Sequence, residues 1–168
     1  VRNRSFLLSA FLAACSLSGP LRVDRKAVGY SFGAPGTRWT SVQVVPELAA
    51  DYVFSSRSDG TVLSIGSVCD RYLDSSLEAL TKDLTNPIGK TELESQDRLS
   101  VDGREGLLTS TRGSLDGVPV SMRTFVIRKN DCLFDFTLSA KGQIAQADLD
   151  DFDRVVKGFR YSEPGSSR

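Results

Sequence analysis

The chain has 168 residues, 40% of them hydrophobic and 25% charged, the balance of an ordinary globular protein and not of a disordered one. Its 21 basic and 21 acidic side chains cancel, which leaves no electrostatic footprint for nucleic acid. It contains no His, which excludes a Ser-His-Asp or Cys-His nucleophile within the chain, removes imidazole from any metal site and takes away the usual general base near neutral pH.

Arg2 and Arg4 precede an apolar run from Phe6 to Ala13. This run is far below the roughly 20 residues a helix needs to span a bilayer, so it reads as a secretory signal. Leu12-Ala13-Ala14-Cys15 resembles the lipobox of bacterial lipoproteins: Leu, two small residues, then Cys. The resemblance implies that residues 1–14 are a signal peptide cut before Cys15, and that the Cys15 thiol is lipidated. The implied partner is then the membrane, held through a lipid anchor; each buried CH₂ contributes about 0.8 kcal/mol, and two or more acyl chains hold firmly. Ser16, where enteric bacteria use Asp to retain a lipoprotein in the inner membrane, points to the outer membrane and to a domain facing the periplasm. Without the first fourteen residues, whose only charged side chains are Arg2 and Arg4, the formal charge is −2. Residues 15–27, with Gly19-Pro20, Arg22, Asp24, Arg25 and Lys26, read as a flexible tether reaching roughly 20 Å on average.

With Cys15 lipidated, Cys69 and Cys132 remain as an even pair in an oxidising space, where a disulfide is expected. Their loop of about 60 residues allows at most roughly 4 kcal/mol of stabilisation. The alternative is two separate buried thiols.

Residues 28–162 read as one domain. Val28 to Phe32 forms a first strand, ended by Gly33-Ala34-Pro35-Gly36. Trp39 to Val45 is a second strand, and Pro46 to Asp51 a turn. Tyr52 to Ser56 and Val62 to Cys69 flank Asp59-Gly60, a hairpin signal because both central positions of such a turn favour positive φ. Leu73, Leu77, Leu80 and Leu84 make one apolar stripe on a helix over Asp74 to Leu84, with Ser75 and Glu78 as a capping box and Asn86-Pro87 as its stop.

Thr91 to Leu99 is polar enough for an edge or one-sided strand. Arg104 to Leu115 and Val118 to Arg128 flank Asp116-Gly117, and Asp131 to Ala140 follows a turn at Lys129-Asn130. Cys132, Phe134, Phe136 and Leu138 share one face, while Asp135 and Thr137 point the other way. A two-residue turn sets Phe134 opposite Ile127; a three-residue turn sets it opposite Val126, and the apolar pattern with Val120 and Met122 prefers the second. The closing helix, Asp148 to Lys157, buries Leu149, Phe152, Val155 and Val156 together with Phe159. Acids at its start and Arg154 and Lys157 at its end suit the helix dipole, and Gly158 sits where a C-terminal cap is expected. Phe159 to Tyr161 adds a strand or packed tail, and residues 163–168 fray.

No phosphate loop, dinucleotide fingerprint or Ser-x-x-Lys motif is present. Asp148, Asp150, Asp151 and Asp153 resemble a calcium cluster in composition, but Leu149 and Phe152 fall between them at helical spacing and no Gly supports a binding loop. A helix start accounts for them better, so no metal ligand, cofactor or catalytic residue is assigned. Trp39 and the tyrosines could stack a ligand or pack in a core.

The order of elements carries a second resemblance: an early strand pair with Trp39, a hairpin, the helix from Ser75 to Leu84, a long antiparallel meander, and a terminal helix Asp151-Phe152-Asp153-Arg154-Val155-Val156-Lys157-Gly158-Phe159. This layout, over Val28 to Tyr161, resembles the PsbP-like superfamily. It implies an α+β domain: an α/β/α sandwich on a central, mainly antiparallel sheet, with a mid-chain helix and a C-terminal helix. The superfamily's roles are mostly docking and assembly, and no binding residue carries over. The expectation is a non-catalytic, lipid-anchored interaction or accessory module of the bacterial cell envelope, docking an envelope protein through a sandwich surface or a hairpin tip. The alternatives are a small-molecule or ion-binding domain with a pocket beside Trp39, and a carboxylate-dependent hydrolase.

Overall fold

The computed structural model describes residues 29–45, 49–69 and 74–162. The expected signal peptide, Cys15, the expected tether and the tail 163–168 lie outside the described residues, as do Leu73 and part of the expected Pro46 to Asp51 turn. The elements in order are β1 (Gly29–Ser31), β2 (Trp39–Val42), β3 (Tyr52–Ser56), β4 (Val62–Cys69), α1 (Leu77–Thr85) with a 3₁₀ turn at Asn86–Ile88, β5 (Glu92–Val101), β6 (Arg104–Leu115), β7 (Val118–Lys129), β8 (Cys132–Lys141), α2 (Gln146–Lys157) and β9 (Arg160–Ser162).

Seven strands form an antiparallel sheet in the order β2-β3-β4-β8-β7-β6-β5, and β1 pairs with β9 beside it. Helix α2 packs on one face and α1 on the other, which is the α+β sandwich expected. No helix among the described residues is long and apolar enough to cross a membrane. β5 is an edge strand with a bulge between Leu93 and Ser95 and with Glu92, Glu94, Asp97 and Arg98 along it, features that blunt edge-to-edge pairing.

The long meander turns at Asp102-Gly103, Asp116-Gly117 and Asn130-Asp131, with φ of 50° and 73°, 50° and 80°, and 51° and 60°. Both central residues are left-handed in each, the turn whose twist matches the flanking strands. The hairpin at Asp102-Gly103 is one the sequence reading does not single out. At the last turn the apolar pattern favours the wrong register: Phe134 stands opposite Ile127, not Val126. Asn and Asp both tolerate the left-handed region, so the two-residue turn closes without a glycine. The pairing then aligns Phe134 and Phe136 with Ile127 and Phe125 on the α2 face, while Val126 belongs to the α1 face.

Other boundaries also shift. Asp59-Gly60 does lie in a hairpin, but only Gly60 of the pair has positive φ, 74°, and Ser56 N–H to Thr61 O (2.8 Å) closes a four-residue loop. Ser76, not Ser75, caps α1, accepting from Ala79 N–H at 3.1 Å. β2 stops at Val42, short of Val45. α2 begins at Gln146, two residues early, and Ala145 supplies no side-chain cap. Where β1 leads to β2 the chain crosses the end of α2 with Gly33 N–H on Val155 O (3.2 Å); a Cβ on Gly33 would stand 2.2 Å from Arg154 O, so only glycine permits this approach.

Cys69 and Cys132 are directly opposed on β4 and β8 and are joined as a disulfide, with Cα atoms 4.0 Å apart.

Candidate functional site

Three places on the domain gather chemistry. The first fastens the start of β2 to α2. Trp39 is 6% exposed, and its indole N–H donates to Asp151 Oδ2 at 2.9 Å. Arg38 donates to the same oxygen from Nε (2.7 Å) and stands 2.6 Å from it through Nη2, while Arg154 Nη1 donates to Asp151 Oδ1 at 2.5 Å. Burial raises the Asp151 carboxyl, but the donors from Trp39, Arg154 and Arg38 outweigh it and hold the group below the ordinary carboxylate range. Arg38 also stands 3.2 Å from the buried Asp148. A groove of about 390 Å³ runs beside this cluster, lined by Gly36, Thr37, Arg38, Ala147, Asp150, Asp151 and Arg154. Its walls are charged and already paired, and Trp39 turns its ring into the core, so it lacks the apolar lining of a stacking pocket.

The four acids of α2 diverge. Asp148 and Asp151 turn inward; Asp150 accepts from Gln146 Nε2 at 2.9 Å; Asp153 meets Arg123 at 3.5 Å and Lys157 at 3.8 Å. Among the described residues no group of three or more His, Cys, Asp and Glu side chains could hold a metal ion.

The second place is a carboxylate pair at Gly66. Asp51 Oδ2 accepts from Tyr30 Oη (2.8 Å) and Ser67 Oγ (2.5 Å), and burial followed by the bond to Asp51 pushes the Tyr30 phenol up. Asp135 faces Gly66 across β4 and β8, and a Cβ on Gly66 would stand 2.9 Å from Asp135 Oδ2 and 2.9 Å from Ala49 O. Burial, with the nearby Asp51 charge, pushes the Asp135 carboxyl up to about 6. Sequence reasoning placed Asp135 on the correct face but did not pair it with Asp51, since no local spacing links residues 84 apart. Arg38 went unnoticed for the same reason.

The third is apolar. Leu93, Leu115 and Val118 are 59%, 49% and 40% exposed. Leu115 and Val118 face each other at the β6–β7 tip, and by register all three lie on the α1 face. The chain enters the fold far from this tip. Gly29 pairs with Ser162, and Tyr161 N–H donates to Asp102 Oδ2 (3.0 Å) at the opposite end of the 12-residue β6. That separation is roughly 40 Å at about 3.4 Å per residue.

No protein-family model and no curated protein sequence matches the chain. Among solved structures it is similar to the cyanobacterial PsbP (CyanoP) of Synechocystis, at 17% identity and a TM-score of 0.55, over 87% of this chain and 99% of that one. It is similar to LpqN of Mycobacterium tuberculosis, a protein involved in cell envelope biogenesis, at 9% identity and 0.64, over 84% and 88%. A protein of Bacteroides thetaiotaomicron aligns at 8% identity and 0.52, over 78% of this chain and 44% of that one. At these identities the likeness is one of fold, and the chain has a PsbP-like fold.

Proposed function

We propose that the chain is a non-catalytic accessory module of the bacterial cell envelope, lipid-anchored through Cys15, which docks an envelope protein at its β6–β7 hairpin tip. The observation that carries this reading is the exposed aliphatic trio Leu93, Leu115 and Val118, at the end of the sheet remote from the entry of the chain. A tether at Gly29 would present that end away from the bilayer. The polar clusters favour it too, because their strongest donors and acceptors are spent on each other. The fold likeness to LpqN, itself involved in cell envelope biogenesis, supports the setting but not the partner.

Asp135, raised to about 6 beside Asp51, is the observation that favours a hydrolase as second reading. The test for docking is recovery of a partner from crosslinked membranes by the full chain. Cys15→Ser should move the chain out of the membrane fraction, and Leu115→Asp should lose the partner without unfolding the domain. A Cys15→Ser chain that stays with the membrane would reject the anchor. Undiminished capture by Leu115→Asp would reject the tip.

A further inference from the structure

The seven-stranded sheet ends in β5 on one side and in β2 on the other, and the two edges are built differently. β5 is defended by its bulge and by the charged side chains along it. β2 pairs with β3 in unbroken register and has neither defence. Thr40, Ser41, Val42 and Gln43 are exposed, and residues 40–45 carry no charge. Val42 and Val45 are 42% and 48% exposed.

Half of the β2 backbone is unspent. Arg57 N–H donates to Arg38 O at 3.1 Å, in step with Trp39 opposite Ser56 and Thr40 opposite Ser55. Antiparallel ladders alternate bonded and non-bonded pairs, so Thr40 and Val42 turn their amide groups to β3, and Ser41 turns its N–H and C=O outward. The side chains differ by face. On the α2 side, Ser41 stands opposite the half-buried Phe54. Phe32 lies 6.1 Å from Phe54 and 5.0 Å from Tyr52 between ring centres, and Tyr52 is 43% exposed. On the other side, Arg57 Nε donates to Thr40 Oγ1 at 2.8 Å. The Arg57 guanidinium is exposed and meets no carboxylate among the described residues.

We propose that β2 takes an added antiparallel strand, an extended segment of a partner protein with an aliphatic side chain opposite Val42, a large apolar one opposite Ser41 and a carboxylate opposite Thr40. Ser41 exchanges both backbone hydrogen bonds with the residue that faces it. That residue projects to the α2 side, against Phe54, Phe32 and Tyr52. Its neighbour facing Thr40 projects to the other side, where the carboxylate meets the Arg57 guanidinium. A second copy of this chain lacks that chemistry, because residues 40–45 bring no carboxylate to Arg57. β2 is four residues long, so the segment it holds is short. β3, β4 and β8 separate this edge from β6 and β7, and the inference does not depend on docking at the β6–β7 tip.

The test is a ¹⁵N titration of the full chain with a capped peptide that carries valine, phenylalanine and glutamate in succession between serine and threonine flanks. The Ser41 amide must shift downfield and exchange more slowly, while the β5 amides from Glu92 to Arg98 stay in place. A peptide with lysine for glutamate must bind about fivefold more weakly, the scale of one exposed ion pair, and that difference must vanish in Arg57→Gln. Ser41→Pro removes the outward N–H, leaves the β2–β3 bonds in place and must abolish binding. An unmoved Ser41 amide overturns the proposal, as does binding that survives Ser41→Pro or ignores the glutamate. A Ser41 amide that moves with chain concentration alone assigns the edge to a second copy and also overturns it. The unaltered chain and the two peptides decide the matter even if Ser41→Pro fails to fold.

Discussion

The two faces of the seven-stranded sheet are built from different chemistry. Under α2, Phe125, Phe134, Phe136, Phe152 and Phe159 are fully buried, and Phe159 packs 4.9 Å from Phe134 and 5.7 Å from Phe136 between ring centres. Under α1 the apolar cluster is Leu80, Val126 and Leu133, bordered by Thr81, Thr85, Thr109, Thr111 and Thr124. The helix threonines bond to their own helix, Thr81 Oγ1 to Leu77 O (2.8 Å) and Thr85 Oγ1 to Lys82 O (3.1 Å), while the hydroxyls of Thr111 and Thr124 have no partner. A buried Phe contributes about 1.5–3 kcal/mol, whereas a hydroxyl buried without a partner costs about 1–3 kcal/mol. The difference teaches that cohesion sits on the α2 face, and that the α1 face, which also carries Leu93, Leu115 and Val118, is the less cohesive side and the one the proposed docking would use.

The sharpest way to break this comparison is to truncate each core. Phe159→Ala should cost about 3–5 kcal/mol in urea unfolding, and Leu80→Ala about 2–3 kcal/mol. Equal costs would remove the asymmetry. Next, Cys69→Ser with Cys132→Ser opens a loop of sequence separation 63 and should cost about 2–4 kcal/mol. That loss acts on the unfolded chain, so it should fall on both faces alike; a loss of hydrogen-exchange protection confined to one face would contradict this.

Asp135 lies on the α1 face, and its effect depends on pH. Its carboxyl is raised from 3.8 to about 6, so the folded state binds the extra proton. Stability from this group is greatest below pH 4 and is lost as pH rises through about 6. At pH 7.5, Asp135→Asn should therefore stabilise the domain by about 1–2 kcal/mol, with no gain below pH 4. A gain independent of pH would assign the effect to packing instead. The smallest expected effect is Thr124→Val, which removes an unpaired buried hydroxyl at similar volume and should be neutral or stabilising by about 1 kcal/mol. A cost above 1 kcal/mol would mean that the hydroxyl has a partner.

What the sequence made legible follows the range of the interaction. The aromatic face of β8 was readable because Cys132, Phe134, Phe136 and Leu138 alternate with polar residues, and α2 because Phe152, Val155 and Val156 recur at helical spacing. Asp116-Gly117 was readable because its turn is local chemistry. The register at Asn130-Asp131 was not, since Val120, Met122 and Val126 form an apolar set that serves the other face. Trp39 could be noticed but not interpreted, because its partner Asp151 is 112 residues away. The pairs Asp51–Asp135 and Arg38–Asp148 arise only when the elements assemble, and no spacing rule points to them.

The central claim is that an envelope protein docks at the β6–β7 tip. A photo-crosslinking residue placed at Val118, and separately at Ser100 near the opposite end of the sheet, tests it most directly in intact cells. The account predicts one defined protein adduct from Val118 and none from Ser100. An adduct from Ser100 alone, or no protein adduct from Val118 in a chain shown to be folded and membrane-bound, would contradict it.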